Sequence, residues 1–431
     1  MPHSAALRTC EATLALRNAT SQFDRVLLHP ILGPVVFLAV MTAIFSAVFF
    51  VSDPVTNAMD AAVAWSGLKV IGLLGNHWWS SLIHEGLLGG AGTVLAFLPQ
   101  IVILSLALDL LDASGYLARG AFIVDRVLHA FGLSGRSFLP LLMGHACAIP
   151  ALSATRILRD RKERLAAIAV IPLMTCSARL PTYALILGTF FGDKSPLVRG
   201  AMFVCLYGMG VVAGMFASWV ITRLLHARRS LPLLLEMPAY RSPEPQVVLR
   251  NAVRTAHTFL RDVGTTIVIA STVLWILLKV HVPAGLQDTR PLVERSLAAH
   301  VGRAAEPITR AAGFDWRINV GLVGSFGARE LMVGTLGVIA GVENADREPQ
   351  RLGKTLRELK KLDGTPAYNR ATALALLVFF VIACQCMSTV AAIRRETRSF
   401  RWPAFVLGYT YALAYVASVV TYQLAKLFHF T

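Results

Sequence analysis

The chain has 431 residues, of which 55% are hydrophobic and 15% charged, and its mean hydropathy is +0.60. A soluble domain carries about 25% charged residues, so the composition excludes an ordinary soluble protein and predicts an all-α, polytopic membrane helix bundle. The net charge of +16 sits in short Lys and Arg clusters between apolar runs, as loops on a cytoplasmic face do, so the lipid bilayer is expected as partner and nucleic acid is not.

Residues 1–29 hold Arg8, Arg17 and Arg25 without an apolar core and read as a short cytoplasmic lead-in. Residues 30–85 form a first unit: an apolar span over 31–51, then an outer interfacial segment with Trp65, Trp78 and Trp79, including a piece at 68–75 too short to cross. His84 and Glu85 in it read either as a ligand pair at the mouth of a pathway or as a solvated interface pair. Residues 86–192 form a first gate domain. It opens with the glycine-rich span 86–108, where small residues permit close helix packing and Pro99 introduces a kink. An interfacial amphipathic helix over 113–136 follows. Next come an interrupted segment over 138–155, a basic link over 156–164, and a span over 165–191 with Arg179 at its middle.

Residues 193–262 are a central region with a span over 200–222 and a basic loop from Arg223 to Arg261, the strongest cytoplasmic marker in the chain. Residues 263–395 are a second gate domain, with spans over 263–280, 318–342 and 371–393 and a polar insert over 343–370. Residues 396–431 hold the last span, 403–425. That makes eight long spans plus the interrupted segment. If 138–155 crosses fully, the basic link lies opposite the N-terminus; a re-entrant hairpin there restores agreement with the positive-inside rule.

The stretch from Gly135 to Pro181 organises the rest. Cys147 lies between Gly144 and Pro150, and Cys176 between Pro172 and Pro181. Proline breaks helical hydrogen bonding. Broken backbone at membrane depth is tolerated only where protein buries it or it lines a watery cavity. A soft thiol at such a break is a candidate site for a borderline metal such as Fe(II). Cys147, Cys176 and Cys386 are the candidate pathway sulfurs, and Cys384 stands beside them. The alternative for each is a small packing residue. Cys10 and Cys205 read as bland. His145, Arg179 and Glu330, the last next to Arg329, are polar groups at depths where lipid cannot accept them. They are candidate pathway residues or members of structural networks. Gly353-Lys354-Thr355 is not a phosphate-binding loop, because that loop requires glycine where Glu348 stands.

A weak repeat links the halves. Gly132-Leu-Ser-Gly-Arg-Ser and Gly313-Phe-Asp-Trp-Arg-Ile each precede an interrupted segment, and Gly144-His-Ala-Cys147 has a counterpart near Gly324-Ser-Phe-Gly327. Paired interrupted segments in corresponding positions point to a transport site.

At these residues the sequence resembles the membrane region of the bacterial ferrous iron transporter B family. The resemblance rests on Asp24-Arg-Val-Leu-Leu-His-Pro30, Gly135-Arg-Ser-Phe-Leu-Pro140, Cys147-Ala-Ile-Pro-Ala151, Ala154-Thr-Arg156, Cys176-Ser-Ala-Arg-Leu-Pro181, Glu236-Met-Pro-Ala-Tyr-Arg241, Gly313-Phe-Asp-Trp-Arg317, Ala328-Arg-Glu330, Gly334-Thr-Leu-Gly337 and Gln385-Cys-Met-Ser-Thr389. It implies two gate domains of nucleoside-transporter-like type with broken or re-entrant helices. It implies Fe(II) import across the bacterial inner membrane, with Cys147 and Cys386 lining the pore as transient Fe(II) ligands. Fe(II) is then cargo, and no permanently bound cofactor is expected. Members of the family usually begin with a GTP-binding domain, which is not expected in this chain, so no enzymatic activity is expected either. A separately encoded GTP-binding protein, a small cytosolic accessory protein and further copies of the chain are the implied partners. His145 and Ala146 stand where the family often has an aromatic residue or glycine. The alternatives are a gate-domain transporter of a small organic solute such as a nucleoside, and a non-transporting membrane subunit or truncated relic.

Overall fold

The computed structural model describes residues 27, 29, 31–75, 77–225, 245–280, 292–327, 329–342, 349–359 and 366–428. The expected lead-in (apart from Leu27 and His29), the run Glu236 to Arg241, most of the basic loop, both flanks of the polar insert's centre and the Glu85 side chain lie outside the described residues. The described residues form helices and connecting turns, with no β-strand among them.

Among the described residues six helical stretches are long and apolar enough to cross a membrane: Leu32–Gly67, Trp78–Ala113, Arg161–Phe190, Pro196–Leu224, Arg370–Thr397 and Arg401–Leu427. The first belongs to a longer helix, α1 (Leu32–Leu74), which runs through Pro54 without stopping. The sequence predicts an interfacial segment after residue 51, and in the structure that segment continues the same helix. An interior proline removes one hydrogen bond, whereas the alanine-rich, apolar run beyond it gains a long packing surface on α2 (Trp78–Ala113). Thr56 donates its hydroxyl to the Ala96 carbonyl at 3.2 Å. A Cβ on Gly92 would lie 2.8 Å from Val63 Cγ1, so glycine is what lets the two helices approach.

After α2 comes α3 (Tyr116–Ala130), the expected amphipathic helix. The expected interrupted segment over 138–155 is two short helices, α4 (Phe138–Ala146) and α5 (Ala148–Ala154), folded back on each other around Cys147. It is a re-entrant hairpin and does not cross. The span around Arg179 is likewise two half-helices, α6 (Arg161–Val170) and α7 (Leu180–Phe190). These are followed by the unbroken α8 (Pro196–Leu224).

In the second half, α9 (Pro245–Phe259) continues through a π-helical turn into α10 (Thr265–Lys279), too short in its apolar part to span alone. The combined rod runs antiparallel to α2, with Ser271 against Gly90 and Trp275 against Gly86. Helices α11 (Leu297–Thr309), α12 (Trp316–Gly327) and α13 (Leu331–Ala340) repeat the arrangement of α3, α4 and α5. The expected span over 318–342 is therefore a second re-entrant hairpin. The insert contributes α14 (Pro349–Glu358). The pair α15 (Arg370–Ile382) and α16 (Met387–Thr397) repeats α6 and α7, and α17 (Arg401–Leu427) closes the chain.

Two sets of ion pairs give the halves opposite orientations. Glu396, at the end of α16, accepts from Arg156 at 2.7 and 2.9 Å and from Arg164 at 2.8 Å, so hairpin one and the exit of the second half share one end. Arg370, at the start of α15, reaches Asp193 at 2.8 Å and the Phe190 carbonyl at 3.3 Å, at the exit of α7. Each hairpin is pinned at its root by a carboxylate. Glu163 accepts from the Ser134 amide at 2.7 Å and from the Ser134 and Ser137 hydroxyls at 2.6 and 2.9 Å. Asp315 accepts from the Tyr368 hydroxyl at 3.1 Å and the Ile318 amide at 3.0 Å. The two sequence motifs that each precede an interrupted segment are these roots, and the fold is an inverted repeat.

Candidate functional site

Four interruptions meet at the centre of the bundle, two from each half. At the first, Pro150 is the third residue of α5 and cannot share a continuous helix with the carbonyl of Ala146. Cys147 is accordingly extended, with φ −152° and ψ 130°, and the freed Ala146 carbonyl accepts from Ser177 Oγ at 3.2 Å. The second interruption lies between Pro172 and Pro181 and carries Cys176 and Arg179. The third separates α12 from α13 and carries Arg329 and Glu330. The fourth, between α15 and α16, contains Cys384, Gln385 and Cys386, with Cys386 at φ −158° and ψ 107°.

No proline or glycine marks the fourth break. Its carbonyls are taken by arginines from other breaks. Arg179, fully buried, donates to the Val381 carbonyl at 2.7 Å, the Ala383 carbonyl at 3.2 Å and the Pro172 carbonyl at 3.1 Å. Arg329, 4% exposed, donates through Nε to the Gln385 carbonyl at 3.2 Å. Its NH1 lies 3.5 Å from Cys176 Sγ. Arg179 of the first half thus satisfies broken backbone in the second, and Arg329 caps the Gln385 carbonyl within its own half, as membrane depth requires.

The breaks enclose a chamber of about 100 Å³, lined by Cys147, Cys176, Cys386, Arg329, Glu330 and Ser388 among others. That volume holds a small ion with a few waters, each water taking about 30 Å³. A wide vestibule of about 1750 Å³ lies beside the chamber, between α1, α2, α7 and α14. Phe97, Gln100 and Glu330 line both spaces and mark the neck where they adjoin. Asp53 and Asp60 line the vestibule on α1; Lys354 and Arg357 line it on α14. Among the described residues no three His, Cys, Asp or Glu side chains come together to hold a metal ion.

The predicted site residues therefore separate. Cys147, Cys176, Cys386 and Glu330 line the chamber. Arg179 lies outside it and serves the backbone. His145 also lies outside, its ring stacked on Tyr207 with centroids 6.3 Å apart. Cys384 is fully buried and Cys205 exposed on α8. Sequence reasoning misses Phe97, Gln100, Ser388 and Thr389. Gln100 carries a signal: it is the one amide in the apolar run 94–108.

Comparison with known proteins agrees with this architecture. The model of the Gate family, described as nucleoside recognition, matches residues 94–190 and 260–400, the two inverted halves. The model of the ferrous iron transport protein B C terminus matches residues 203–254. The Fe(2+) transporter FeoB of Leptospira interrogans is 38% identical over 423 residues, covering 95% of this chain and 60% of the relative. The FeoB of Staphylococcus aureus is 33% identical over 416 residues, again covering 95% of this chain and 60% of the relative. A protein of Porphyromonas gingivalis described as an Fe(2+) transport protein A/Fe(2+) transporter FeoB fusion is 33% identical over 447 residues, covering 96% of this chain and 52% of the relative. The chain thus spans about 60% or less of the length of these curated relatives. No solved structure matches. The chain belongs to the ferrous iron transporter B family and carries its Gate-type membrane part.

Proposed function

We propose that this chain is the permease part of an Fe(II) importer of the bacterial inner membrane. The observation that supports the reading is a chamber lined by three cysteines placed on helix breaks, which shares Phe97, Gln100 and Glu330 with the adjoining vestibule. Fe(II) enters from the vestibule, sheds water past Gln100 and Glu330, meets the Cys176 sulfur, and is then held transiently by Cys147 and Cys386 with backbone carbonyls assisting. Fe(II) stands low in the divalent affinity series, so discrimination comes from the placement of soft ligands. Weak holding by few protein ligands suits passage, because an ion must leave as readily as it enters.

The end opposite the vestibule carries Arg136, Arg156, Arg159, Arg161, Lys162, Arg164, Arg394, Arg395, Arg398 and Arg401 at helix ends and in the turns between them. Under the positive-inside rule that end faces the cytoplasm, and the vestibule faces outward. The transport reading assigns the chain no chemical step of its own. A GTP-binding partner supplies the gating energy at the basic end.

The test is uptake of radiolabelled Fe(II) by proteoliposomes holding the full chain. Cys147→Ser with Cys386→Ser abolishes uptake while the protein stays folded and monodisperse. Undiminished iron uptake by the double variant sinks the reading.

A further inference from the structure

Arg329 is the one guanidinium inside the chamber. Its residue is 4% exposed, and among the described residues no carboxylate pairs with it. Its hydrogen-bond partners are the Gln385 carbonyl and the sulfur of Cys176, at 3.2 and 3.5 Å. A cation kept at membrane depth without a carboxylate in contact is costly, and such residues mark function by default. Arg179 accounts for its own burial by donating to three carbonyls. Arg329 donates to a single carbonyl and spends another N–H on a sulfur that the pathway offers to cargo.

We propose that Arg329 is a specificity-determining residue: a tethered cation that occupies the Cys176 sulfur while the chamber is empty and must be displaced by the passing ion. This rests on the reading that the chamber conducts Fe(II). A cation that passes Glu330 at the neck meets repulsion from the guanidinium in the chamber and is admitted only if it binds sulfur well enough to take the place of the N–H donor. Fe(II) does so. Na⁺ and Mg²⁺ prefer oxygen ligands and gain nothing from the thiols, so they are held out by charge alone. The empty pathway is thereby closed to ions without a moving lid.

The reconstituted full chain provides the test. Arg329→Gln keeps donors for the Gln385 carbonyl and removes the charge; Arg329→Lys keeps the charge. Ion leak into vesicles is read with fluorescent Na⁺ and Mg²⁺ indicators, without iron present. Removing a unit charge about 4 Å from the ion raises leak about fivefold for Na⁺ and about thirtyfold for Mg²⁺, even at the dielectric constant of water. Arg329→Lys stays closed to both. A merely loosened structure would leak both ions alike, and that result, or an Arg329→Gln protein as tight as the parent, overturns the proposal. If the parent imports iron and the graded leak is absent, this inference fails alone; if the parent imports no iron, the transport reading fails. Should Arg329→Gln not fold, the unaltered chain still decides. Cys176 must react faster with a neutral methanethiosulfonate than with a cationic one of the same size, read by mass spectrometry. Equal rates, or a Cys176 reached by neither, count against it.

Discussion

Replacing Arg179 with methionine tests whether cross-repeat capping holds the chamber open. The side chain is fully buried and makes three hydrogen bonds of 2.7–3.2 Å to carbonyls on two breaks. Each carbonyl left without a donor costs about 1–3 kcal/mol, giving a loss of about 3–9 kcal/mol for three. Removing a buried, unpaired charge returns part of this, because burial of the guanidinium is itself costly by several kcal/mol. The net destabilisation is about 2–5 kcal/mol. At about 2 °C per kcal/mol for a chain of this size, the melting temperature falls by about 4–10 °C. The assay is thermal unfolding in detergent followed by tryptophan fluorescence, with Arg179→Lys in parallel. Lysine offers one compact ammonium in place of a fork, so it rescues in part. An Arg179→Met protein that melts within a degree of the parent refutes the claim that this residue satisfies the broken backbone of both halves.

Glu163→Gln weakens three short hydrogen bonds at the root of hairpin one and lowers stability by about 1–3 kcal/mol, read as a shift of the same unfolding curve; no shift contradicts the anchoring role. Gly92→Val forces α1 away from α2, since even a Cβ would sit 2.8 Å from Val63 Cγ1; a cysteine cross-link between the facing helix surfaces should then form more slowly, and an unchanged rate argues against close packing there. Gly313→Ala, at φ +76°, costs about 1 kcal/mol from backbone conformation alone and more because Tyr422 packs against the same position; a variant as stable as the parent contradicts the αL turn. Purified chain shows no tight GTP binding, because Lys354 lies within helix α14 and not in a phosphate-cradling loop; micromolar binding by equilibrium dialysis would contradict this.

The prolines and glycines around Cys147 and Cys176 mark two interruptions in the sequence itself, because a missing N–H and a ring clash are local facts. The third is half legible from Arg329 and Glu330 in an apolar run. The fourth is not legible as a break at all: Cys384-Gln385-Cys386 contains neither proline nor glycine, and its carbonyls are taken up by arginines far away in sequence. The same limit explains one miscounted span. An apolar stretch of the right length reads as a crossing whether it passes through or folds back, so 318–342 resembles a span although it is a hairpin. Pro54 does not end α1, since a single lost hydrogen bond does not outweigh the packing of α1 on the glycine face of α2.

Composition and the long continuous apolar runs make this a membrane protein of helices, because barrel strands would alternate apolar and polar residues, and the prolines beside Cys147 and Cys176 interrupt their helices wherever the chain goes. Tertiary structure alone chooses the inverted pairing of the two halves. That pairing gathers the sulfurs of Cys147, Cys176 and Cys386 around one chamber and turns Arg179 away from it. Those outcomes depend on which distant carbonyl each buried guanidinium can reach, a matter of distances in space that no run of neighbouring residues encodes.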